Sequence, residues 1–325
     1  MRAWRVDHPG EPSEVLTLTD VPVPEPGPGQ IRVRVTAAGI GLPDVLMCRH
    51  TYPLTPPGTF TPGQEGTGVV SAVGPDVDMA LGTTVMSTTS FMDGNGSFAE
   101  EYLAPAQWSF TVPSGLGAVD AAGFWIPHLT AWIGLVDRAR LERGQWVAVL
   151  GAAGGSGIAA VQLGRALGAR VVAVVSDEAR AEFCRGLGAD ETINYRDGNL
   201  AGRLRQITDG HGVDAVYDPV GGSVAEDAAT ALARHGRLLA VGFASGSWPR
   251  IETQGLVVTN TSLVGVFAGG YSRDELDAIH SELSNLVSSG RLRNAVTTQI
   301  PFADLPSALQ RLADRSVIGK MVMVR

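Results

Sequence analysis

A glycine-rich turn that follows an apolar run is the part of this sequence best suited to bind a phosphorylated ligand. Residues 146–150 are apolar, the glycines Gly151, Gly154 and Gly157 follow, and apolar residues recur at helical spacing over 158–167. The first glycine of such a turn permits a tight bend, the second lets the backbone approach a pyrophosphate, and the third lets the helix pack on the strand. The start of the helix offers free N–H groups and a positive dipole end. The pattern predicts a dinucleotide site, with a purely structural turn as the alternative.

The residues after the second predicted strand bear on the choice between NAD and NADP. The strand over 170–175 is followed by Ser176 and Asp177, and Arg180 lies one turn into the next predicted helix. Ser176 and Arg180 can bind a 2′-phosphate if Asp177 points away, which favours NADP. If Asp177 accepts a hydrogen bond from the ribose, NAD is favoured instead. A third interpretation makes Ser176 an N-cap and Arg180 a solvated helix residue.

Neither the cysteines nor the histidines form a metal-binding pattern. Cys48 and Cys184 lie far apart and no C-x-x-C motif is present, which argues against a disulfide framework and a structural zinc lobe. Cys48 and His50 are two residues apart, a spacing that suits no common helical zinc pair. Surface histidines and a structural thiol are the simpler interpretation, so no metal is expected.

Length and composition favour a two-domain protein of the cytoplasm. The chain has 325 residues, more than one ordinary compact core contains, which favours two domains. It is 44% hydrophobic. Its net charge of −8 makes it ill suited to bind nucleic acid or an anionic membrane. No apolar run reaches the roughly 20 residues that span a bilayer, and the start of the sequence lacks a signal-peptide core. Of the 25 basic residues only Lys320 is a lysine. Because an ammonium group is not interchangeable with a guanidinium group, this position is singled out as one that requires a lysine.

The segment from about 120 to 268 alternates strand and helix patterns. This alternation predicts an α/β fold with a doubly wound parallel sheet, as in Rossmann domains. Strands are expected at 146–150, 170–175, 190–194, 213–217, 237–242 and 262–267, and helices at 155–168, 178–187, 199–208 and 223–234. Gly168, Gly188 and Gly236 are expected at helix C-caps.

The flanking segments are expected to be β-rich. Strand patterns occur at 31–36, 68–73 and 81–87, and a helix at about 273–289 precedes a terminal strand at 319–324. Alternating apolar and polar residues between turn-forming glycines and prolines carry this prediction.

Motifs along the whole chain resemble those of a known enzyme superfamily. They are Ala37-Ala38-Gly39-Ile40, Asp44, Thr51-Tyr52-Pro53, Pro62-Gly63-Gln64-Glu65-Gly66-Thr67-Gly68, Val73-Gly74, the turn Gly151–Gly157, Gly188-Ala189-Asp190-Glu191-Thr192-Ile193-Asn194-Tyr195 and Gly319-Lys320. Together they resemble the medium-chain dehydrogenase/reductase superfamily, most closely its zinc-free, NADPH-dependent quinone oxidoreductases, the zeta-crystallin-like branch. The resemblance implies a GroES-like catalytic domain at 1–120 and 269–325 around an inserted Rossmann domain at 121–268.

The resemblance also implies which residues bind NADPH. The pyrophosphate would contact Gly154, Gly155, Ser156, Gly157 and Ile158, and the adenosine 2′-phosphate would be held by Ser176, Arg180 and Tyr195. Thr130 resembles a residue near the nicotinamide. Four residues at strand ends would follow the nicotinamide arm, although plain packing explains them as well: Val220, Gly242, Phe243 and Phe267.

Three side chains are candidates for stabilising a developing oxyanion and supplying a proton. Tyr52 matches a proton-donating tyrosine of the related enoyl-thioester reductases, with a packing aromatic as the alternative. Gln64 stands where the zinc-dependent members have a histidine, and it can donate an amide N–H or be structural. Lys320 can reach the site from the terminal strand, cap that strand or pair with Glu65. The loss of that histidine, and of a cysteine near Gly41, agrees with the expected absence of zinc.

The predicted activity is hydride transfer from NADPH to a quinone or to an activated α,β-unsaturated carbonyl compound. The alternatives are an enoyl-thioester reductase and a weakly catalytic NADPH-binding protein with a structural role. Gly41 and Leu46 replace an asparagine and a tyrosine that face the substrate in many members of the branch, which makes a simple benzoquinone a poorer candidate. An apolar edge strand from Thr261 to Phe267 predicts a homodimer.

Overall fold

The structure is a computed structural model that describes residues 1–293 and 296–325. Contacts divide the chain into two compact units. The first contains Met1–Ile126, Ser272–Ser288 and the described part of 294–325, and the second contains Pro127–Tyr271 and Ser289–Arg293. The predicted domain limits at residues 120 and 268 remain predictions. Within the described ranges, no helix has both the length and the apolar composition needed to cross a membrane.

The first unit begins with seven strands and three short helices in the described residues. They are β1 (Arg2–Arg5), α1 (Pro12–Val15), β2 (Thr17–Asp20), β3 (Gln30–Ile40), α2 (Leu42–Cys48), β4 (Glu65–Val73), β5 (Thr84–Thr88), β6 (Glu101–Pro105), β7 (Ser109–Thr111) and α3 (Ala118–Ala121). Single 3₁₀ turns lie at Phe91–Asp93 and Ala106–Trp108.

Strands and helices alternate in the second unit. They are α4 (Trp125–Trp132), which begins two residues before the unit, a π-helical segment at Ile133–Arg138, β8 (Trp146–Leu150), α5 (Gly155–Leu167), β9 (Arg170–Val175), α6 (Glu178–Gly186), β10 (Glu191–Asn194), a 3₁₀ turn at Tyr195–Asp197, α7 (Leu200–Ile207), β11 (Val213–Asp218), α8 (Gly222–Ala229), β12 (Leu232–Ala240), α9 (Thr253–Thr259) and β13 (Ser262–Gly265).

The last elements return to the first unit. They are α10 (Arg273–Ser288), β14 (Val296–Pro301), a 3₁₀ turn at Phe302–Asp304, α11 (Leu305–Ala313) and β15 (Lys320–Val324). The predicted helix at about 273–289 and the predicted terminal strand are thereby confirmed.

Strand β3 is the centre of the first unit. Among the described residues the sheet has the order β14-β15-β3-β4-β5-β7, and β6 also pairs with β3. Alternate side chains of β3, including Ile31 and Val33, enter a core that also contains Phe60 and Tyr102, as expected of a strand with one face on a core. In the antiparallel pairing of β15 with β3, Met321 lies opposite Ile40. The end of the chain therefore lies beside the start of α2.

The second unit contains a parallel sheet. Its strand order in the described residues is β10-β9-β8-β11-β12-β13, which is 3-2-1-4-5-6 when the strands are numbered within the unit. That order is the doubly wound order of Rossmann folds. Residues 171–175 of β9 are buried without a break, because helices cover both faces of such a sheet. The predicted α/β fold class is confirmed.

The helix predicted at 223–234 is wrong in its second half. Helix α8 ends at Ala229, and β12 begins at Leu232, which pairs with Val213 of β11. Gly236, expected at a helix C-cap, lies inside β12. The alanine- and leucine-rich sequence here suits a helix locally, but pairing with β11 buries it as a strand, and such tertiary contacts override local preference.

The other two predicted C-cap glycines lie at or just beyond helix ends. Gly168 is the C-cap of α5 and has a φ of +82°, a left-handed conformation that glycine adopts without strain. Helix α6 ends at Gly186 with Leu187 as its C-cap, so Gly188, with a φ of +101°, lies one residue beyond the C-cap and not at it as predicted.

Candidate functional site

The glycine turn connects β8 to α5 with the backbone geometry that the sequence predicts. Gly151 has a φ of +59°. A Cβ atom on Gly157 would lie 2.4 Å from the carbonyl oxygen of Gly151 and 2.6 Å from the Cα of Ala152, so only glycine permits this close approach of helix and turn. The N-cap of α5 is Gly154, and no side chain caps the helix. The N–H groups of its first turn therefore remain available to an anion.

The turn lies where the order of the parallel strands reverses. Strands β8 and β11 are neighbours, with Val149 opposite Tyr217, although β8 is the first strand of the unit and β11 the fourth. Ligands of doubly wound sheets bind in the crevice at this position, beyond the carboxyl ends of the strands. The hydroxyl group of Ser156 lies 2.8 Å from the hydroxyl group of Tyr217, so the Ser156 side chain faces β11.

Asp218, at the end of β11, is a site residue that the sequence does not predict. Its Oδ1 accepts hydrogen bonds from the N–H groups of Val220 at 2.9 Å and Gly221 at 2.7 Å. Burial raises the pKa of this carboxyl group to about 6, although the two N–H groups oppose the shift. A Cβ on Gly151 would lie 2.9 Å from the Val220 side chain. Asp218 therefore fixes Val220 beside the glycine turn.

The predicted 2′-phosphate residues lie at the ends of two adjacent strands. Val175 of β9 pairs with Asn194 of β10, so Ser176 and Tyr195 each follow directly on neighbouring strands. Asp177 does not point away, contrary to the condition attached to the NADP prediction. It is the N-cap of α6, and its carboxylate accepts hydrogen bonds from the Ser176 hydroxyl at 2.8 Å and from the N–H of Arg180 at 3.0 Å.

Asp177 also forms an ion pair with the guanidinium group of Arg180. The pKa of Asp177 is lowered, chiefly by the Arg180 N–H and further by the Ser176 hydroxyl and the guanidinium group. Both side chains assigned to a phosphate are thus bound to a carboxylate, because the N-cap position directs Asp177 back onto its own helix.

The remaining predicted cofactor residues lie at the carboxyl ends of β12 and β13 or on α4. Gly242 and Phe243 follow β12, and the N–H of Gly242 donates to the carbonyl oxygen of Asp218 at 3.1 Å. Phe267 follows β13 and its side chain is 66% exposed. It borders a cavity of about 510 Å³ that Ala240 and Tyr271 also line. Thr130 lies in α4, and its side chain is half-buried.

In the first unit, Lys320 and Glu65 form a buried ion pair. Lys320 Nζ lies 2.6 Å from Glu65 Oε1, and each side chain is 6% exposed. Glu65 Oε2 accepts a hydrogen bond from the N–H of Ile126 at 3.1 Å. Glu65 in β4 lies opposite Gly39 of β3, and a Cβ on Gly39 would lie 2.4 Å from Glu65 Oε1. The missing side chain at Gly39 lets the glutamate cross β3 towards the lysine.

Asp44 links the segment that carries Gln64 to the ion pair of Lys320 and Glu65. Its carboxylate accepts hydrogen bonds from the N–H groups of Gly41 at 2.8 Å, Gly63 at 3.1 Å and Gln64 at 3.2 Å. Burial raises the pKa of Asp44 to about 7, although the Gly41 N–H and the charge of Lys320 oppose the shift. One carboxylate thus ties the start of α2 to the segment that carries Gln64.

Tyr52 lies beside Gln64 and is half-buried. Burial raises the pKa of the Tyr52 phenol, a hydrogen bond with the Gln64 side chain lowers it, and the charge of Asp44 raises it. The amide nitrogen of Gln64 also lies 3.6 Å from the sulfur of Met47. Tyr52 and Gln64 therefore lie side by side, and Asp44 holds the backbone N–H of Gln64.

The described residues contain no group of three or more His, Cys, Asp or Glu side chains placed to hold a metal ion. Cys48 and Cys184 are buried and free, and burial raises the pKa of each thiol to about 12. Both thiols are packed in the interior of the fold.

Comparison with known proteins identifies the class. Residues 27–114 match the model of the alcohol dehydrogenase GroES-like domain, and residues 155–285 match that of the zinc-binding dehydrogenases. A quinone oxidoreductase-like protein 2 homolog of Nematostella vectensis is 32% identical over 293 residues, which cover 88% of this chain and 79% of the relative. A 2-haloacrylate reductase of a Burkholderia species is 33% identical over 272 residues, which cover 81% and 80% of the two chains.

Solved structures agree with this class. The mycobacterial protein Rv1454c in complex with NADPH superimposes with a TM-score of 0.93 at 32% identity, over the whole of both chains. The chain belongs to the medium-chain dehydrogenase/reductase superfamily, in its quinone oxidoreductase branch. The predicted resemblance, the GroES-like domain and the membership of an oxidoreductase family are confirmed.

Proposed function

We propose that this protein is a zinc-independent oxidoreductase that transfers a hydride from NADPH to a quinone or to an activated α,β-unsaturated carbonyl compound. The observation that carries the proposal is the glycine turn after β8, with an uncapped helix start at the strand reversal of a parallel sheet. The NADPH complex of the mycobacterial relative and the names of the quinone oxidoreductase-like and 2-haloacrylate reductase relatives support it.

The residues of the second unit fit a dinucleotide. Gly154 is exposed and Gly155 and Ser156 are half-buried, so the backbone of the turn is accessible to a pyrophosphate, whereas Gly157 and Ile158 are buried and pack the helix on the sheet. The bound nicotinamide supplies the hydride. The protein's part is to bind and orient it, and we assign the adenosine end to Ser176, Arg180 and Tyr195 and the nicotinamide arm to Thr130, Val220, Gly242, Phe243 and Phe267.

The residues of the first unit fit the charge that hydride transfer leaves on the acceptor. Negative charge builds on a quinone or carbonyl oxygen, and positioned donors stabilise it. We assign this role to the Tyr52 hydroxyl and the Gln64 amide. Lys320 is bound to Glu65, which is one of the roles that the sequence leaves open for it, so we assign it the positioning of this cluster.

The proposal of zinc independence rests on the donor set. Gln64 is a neutral amide and a weak ligand for Zn²⁺, which prefers Cys, His and carboxylate groups. The neighbouring carboxylates, Asp44 and Glu65, together already accept four backbone N–H groups and the ammonium group of Lys320. Cys48 belongs to the hydrophobic core.

An acceptor screen tests the proposal. Protein treated with EDTA is mixed with NADPH and, in parallel, with menadione, 9,10-phenanthrenequinone, 2-chloroacrylate and crotonyl-CoA, and the loss of NADPH absorbance is followed. We expect turnover with the quinones or the acrylate. Turnover with crotonyl-CoA alone would favour an enoyl-thioester reductase, binding of NADPH without turnover would favour a structural role, and activity that requires added zinc would refute zinc independence.

Tyr52→Phe separates the acceptor classes in the same screen. We expect this variant to slow reduction of the α,β-unsaturated compound by about 10²-fold or more, as is typical of a lost proton donor. Quinone reduction should change less, because solvent can protonate the hydroquinone anion. Equal losses with both acceptors would mean that Tyr52 only shapes the pocket.

We further propose that the protein is a homodimer in the cytoplasm. Strand β13 is at the edge of the described sheet and pairs with β12 alone. Leu263 in this strand is 44% exposed, and Val257 and Val258 of α9 are 75% and 71% exposed. A second copy paired along β13 would cover such an edge. The cytoplasmic location rests on the sequence alone.

A further inference from the structure

We propose that Asp177 sets the choice between NADPH and NADH in this chain and keeps the preference for NADPH weak. Its carboxylate engages the two side chains that a 2′-phosphate would need, and it repels the phosphate itself. The inference rests on the proposed function, namely that the second unit binds a nicotinamide dinucleotide. It implies a protein that accepts both cofactors.

Three hydrogen bonds hold the Asp177 carboxylate in place. Oδ2 accepts from the Ser176 hydroxyl at 2.8 Å and from the guanidinium group of Arg180, and Oδ1 accepts from the N–H of Arg180 at 3.0 Å. The last bond caps α6, a position at which aspartate is strongly favoured and stabilises the helix. Moving the carboxylate away from an incoming phosphate would therefore break the cap and the ion pair together.

Asp177 lies close to the position at which Rossmann folds bind the adenosine ribose. It lies two residues after β9, the second strand of the unit, and beside the end of β10. A carboxylate at the end of the second strand accepts a hydrogen bond from an unphosphorylated 2′-hydroxyl group. The side chains of Asp177 and Arg180 are 35% and 22% exposed, so a ligand can reach both. The same carboxylate thus suits NADH and opposes NADPH.

The charge on Asp177 persists at neutral pH. Its pKa is lowered, first by the N–H of Arg180 and then by the Ser176 hydroxyl and the guanidinium group. Glu178, the next residue, carries the same charge, but its Oε1 lies 2.8 Å from a guanidinium nitrogen of Arg185. Glu178 therefore provides a matched control for the removal of one negative charge from the first turn of α6.

Asp177→Asn should raise the preference for NADPH. Asparagine keeps the N-cap because its oxygen still accepts the N–H of Arg180, and it is as good an N-cap as aspartate. Loss of the charge removes the ion pair that competes with the phosphate for the Arg180 guanidinium group, and it removes the repulsion of the phosphate, so we expect NADPH to bind about tenfold more tightly. NADH should bind slightly more weakly, and Glu178→Gln should leave the ratio of the two dissociation constants within about twofold of the wild-type ratio.

The test is a fluorescence titration of the full chain without any acceptor. The ligands are NADPH and NADH, and then adenosine 2′,5′-bisphosphate and adenosine 5′-phosphate, which differ only in the 2′-phosphate. We expect the wild-type protein to prefer the 2′-phosphorylated member of each pair by less than about tenfold. We expect Asp177→Asn to widen that ratio for both pairs.

Arg180→Ala in both backgrounds completes a double-mutant cycle. Because Arg180 is bound to Asp177 in the wild-type protein, its removal should cost less NADPH affinity there than in the Asp177→Asn background.

The outcomes separate the inference from the function on which it rests. If the wild-type protein binds none of the nucleotides, the proposed function fails. If it binds them but already prefers NADPH by more than about a hundredfold, or if Asp177→Asn leaves the ratio unchanged, the role of Asp177 is refuted and the function stands. An equal shift in Glu178→Gln would attribute the effect to helix charge and would also refute it.

Discussion

Asp44 shows how one residue can position a site without being part of its chemistry. Its carboxylate accepts three backbone N–H groups from two separate segments, and Gln64 is one of the donors. Nothing in the residue type predicts this role, because an aspartate in a short helix is more often an exposed cap. The sequence therefore yields Asp44 as part of a family motif, and its hydrogen bonds are visible only in the structure.

The raised pKa of Asp44 predicts a pH-dependent cost to stability. Its pKa is about 7 in the folded chain and about 3.9 in an unfolded chain. Between these values the folded protein binds the extra proton, so the contribution of Asp44 to the free energy of unfolding falls as the pH rises from about 4 to about 7.

Asp44→Asn removes that dependence. The difference in unfolding free energy between the variant and the wild-type protein should shift in favour of the variant by on the order of 2–4 kcal/mol as the pH rises from about 5 to about 8. Urea denaturation at the two pH values measures this difference. Asp78→Asn, at an exposed position, is the control and should show no such trend. A difference between Asp44→Asn and wild type that does not change with pH would contradict the assignment.

The buried pair of Lys320 and Glu65 predicts an asymmetry between single and double variants. Lys320→Met leaves Glu65 as an uncompensated buried charge and should lower the free energy of unfolding by about 3–5 kcal/mol. Adding Glu65→Gln removes that charge and keeps an oxygen for the N–H of Ile126, so the double variant should recover most of the loss. Denaturant titration of the three proteins measures this, and a double variant no more stable than the single one would mean that the pair is not coupled.

At the scale of elements, the contact between α5 and the glycine turn leaves no room for a side chain at Gly157. Gly157→Ala would place a Cβ 2.4 Å from the carbonyl oxygen of Gly151. The helix would have to shift from the strand, so we expect a loss of about 1–3 kcal/mol in stability together with weaker NADPH binding. Thermal unfolding and nucleotide titration measure the two effects.

Gly186→Ala provides the matched control at a helical glycine. A Cβ there would meet nothing within 4 Å, and alanine is the better helix former by up to about 1 kcal/mol. This variant should be as stable as the wild-type protein or more so, with unchanged binding. If both alanine variants behave alike, the close approach at Gly157 is not what the turn requires.

The elements that the sequence predicts are those whose pattern is local. The glycine turn, β8, β9 and α5 follow from apolar runs and glycine spacing, because a parallel strand buried on both faces is apolar throughout. Strands β1, β2, β6, β7 and β14 were not predicted, since short strands depend on their partners more than on their own composition. The start of β12 was mistaken for a helix for the same reason. Pairing with β11, not local preference, decides its structure.

At the scale of the whole molecule, the exposed edge of the parallel sheet in the second unit predicts that two copies of the chain associate. Strand β13 has β12 on one side only in the described residues, and Leu263 in it is 44% exposed. If two copies pair along β13, light scattering will give twice the chain mass of 33.9 kDa. Leu263→Lys places a charge at the centre of that contact and should shift the protein to monomers at micromolar concentration, since charged edge strands oppose pairing.

Leu81→Lys tests whether any exposed leucine would have the same effect. Leu81 belongs to the first unit and is 64% exposed, so its substitution makes the same chemical change in the unit that does not contain β13. The dimer should persist in this variant because its sheet edge is intact. A wild-type protein that is monomeric, or a dimer that survives Leu263→Lys, would mean that the edge of β13 is not the contact. A dimer lost equally in both variants would mean that general surface hydrophobicity drives association.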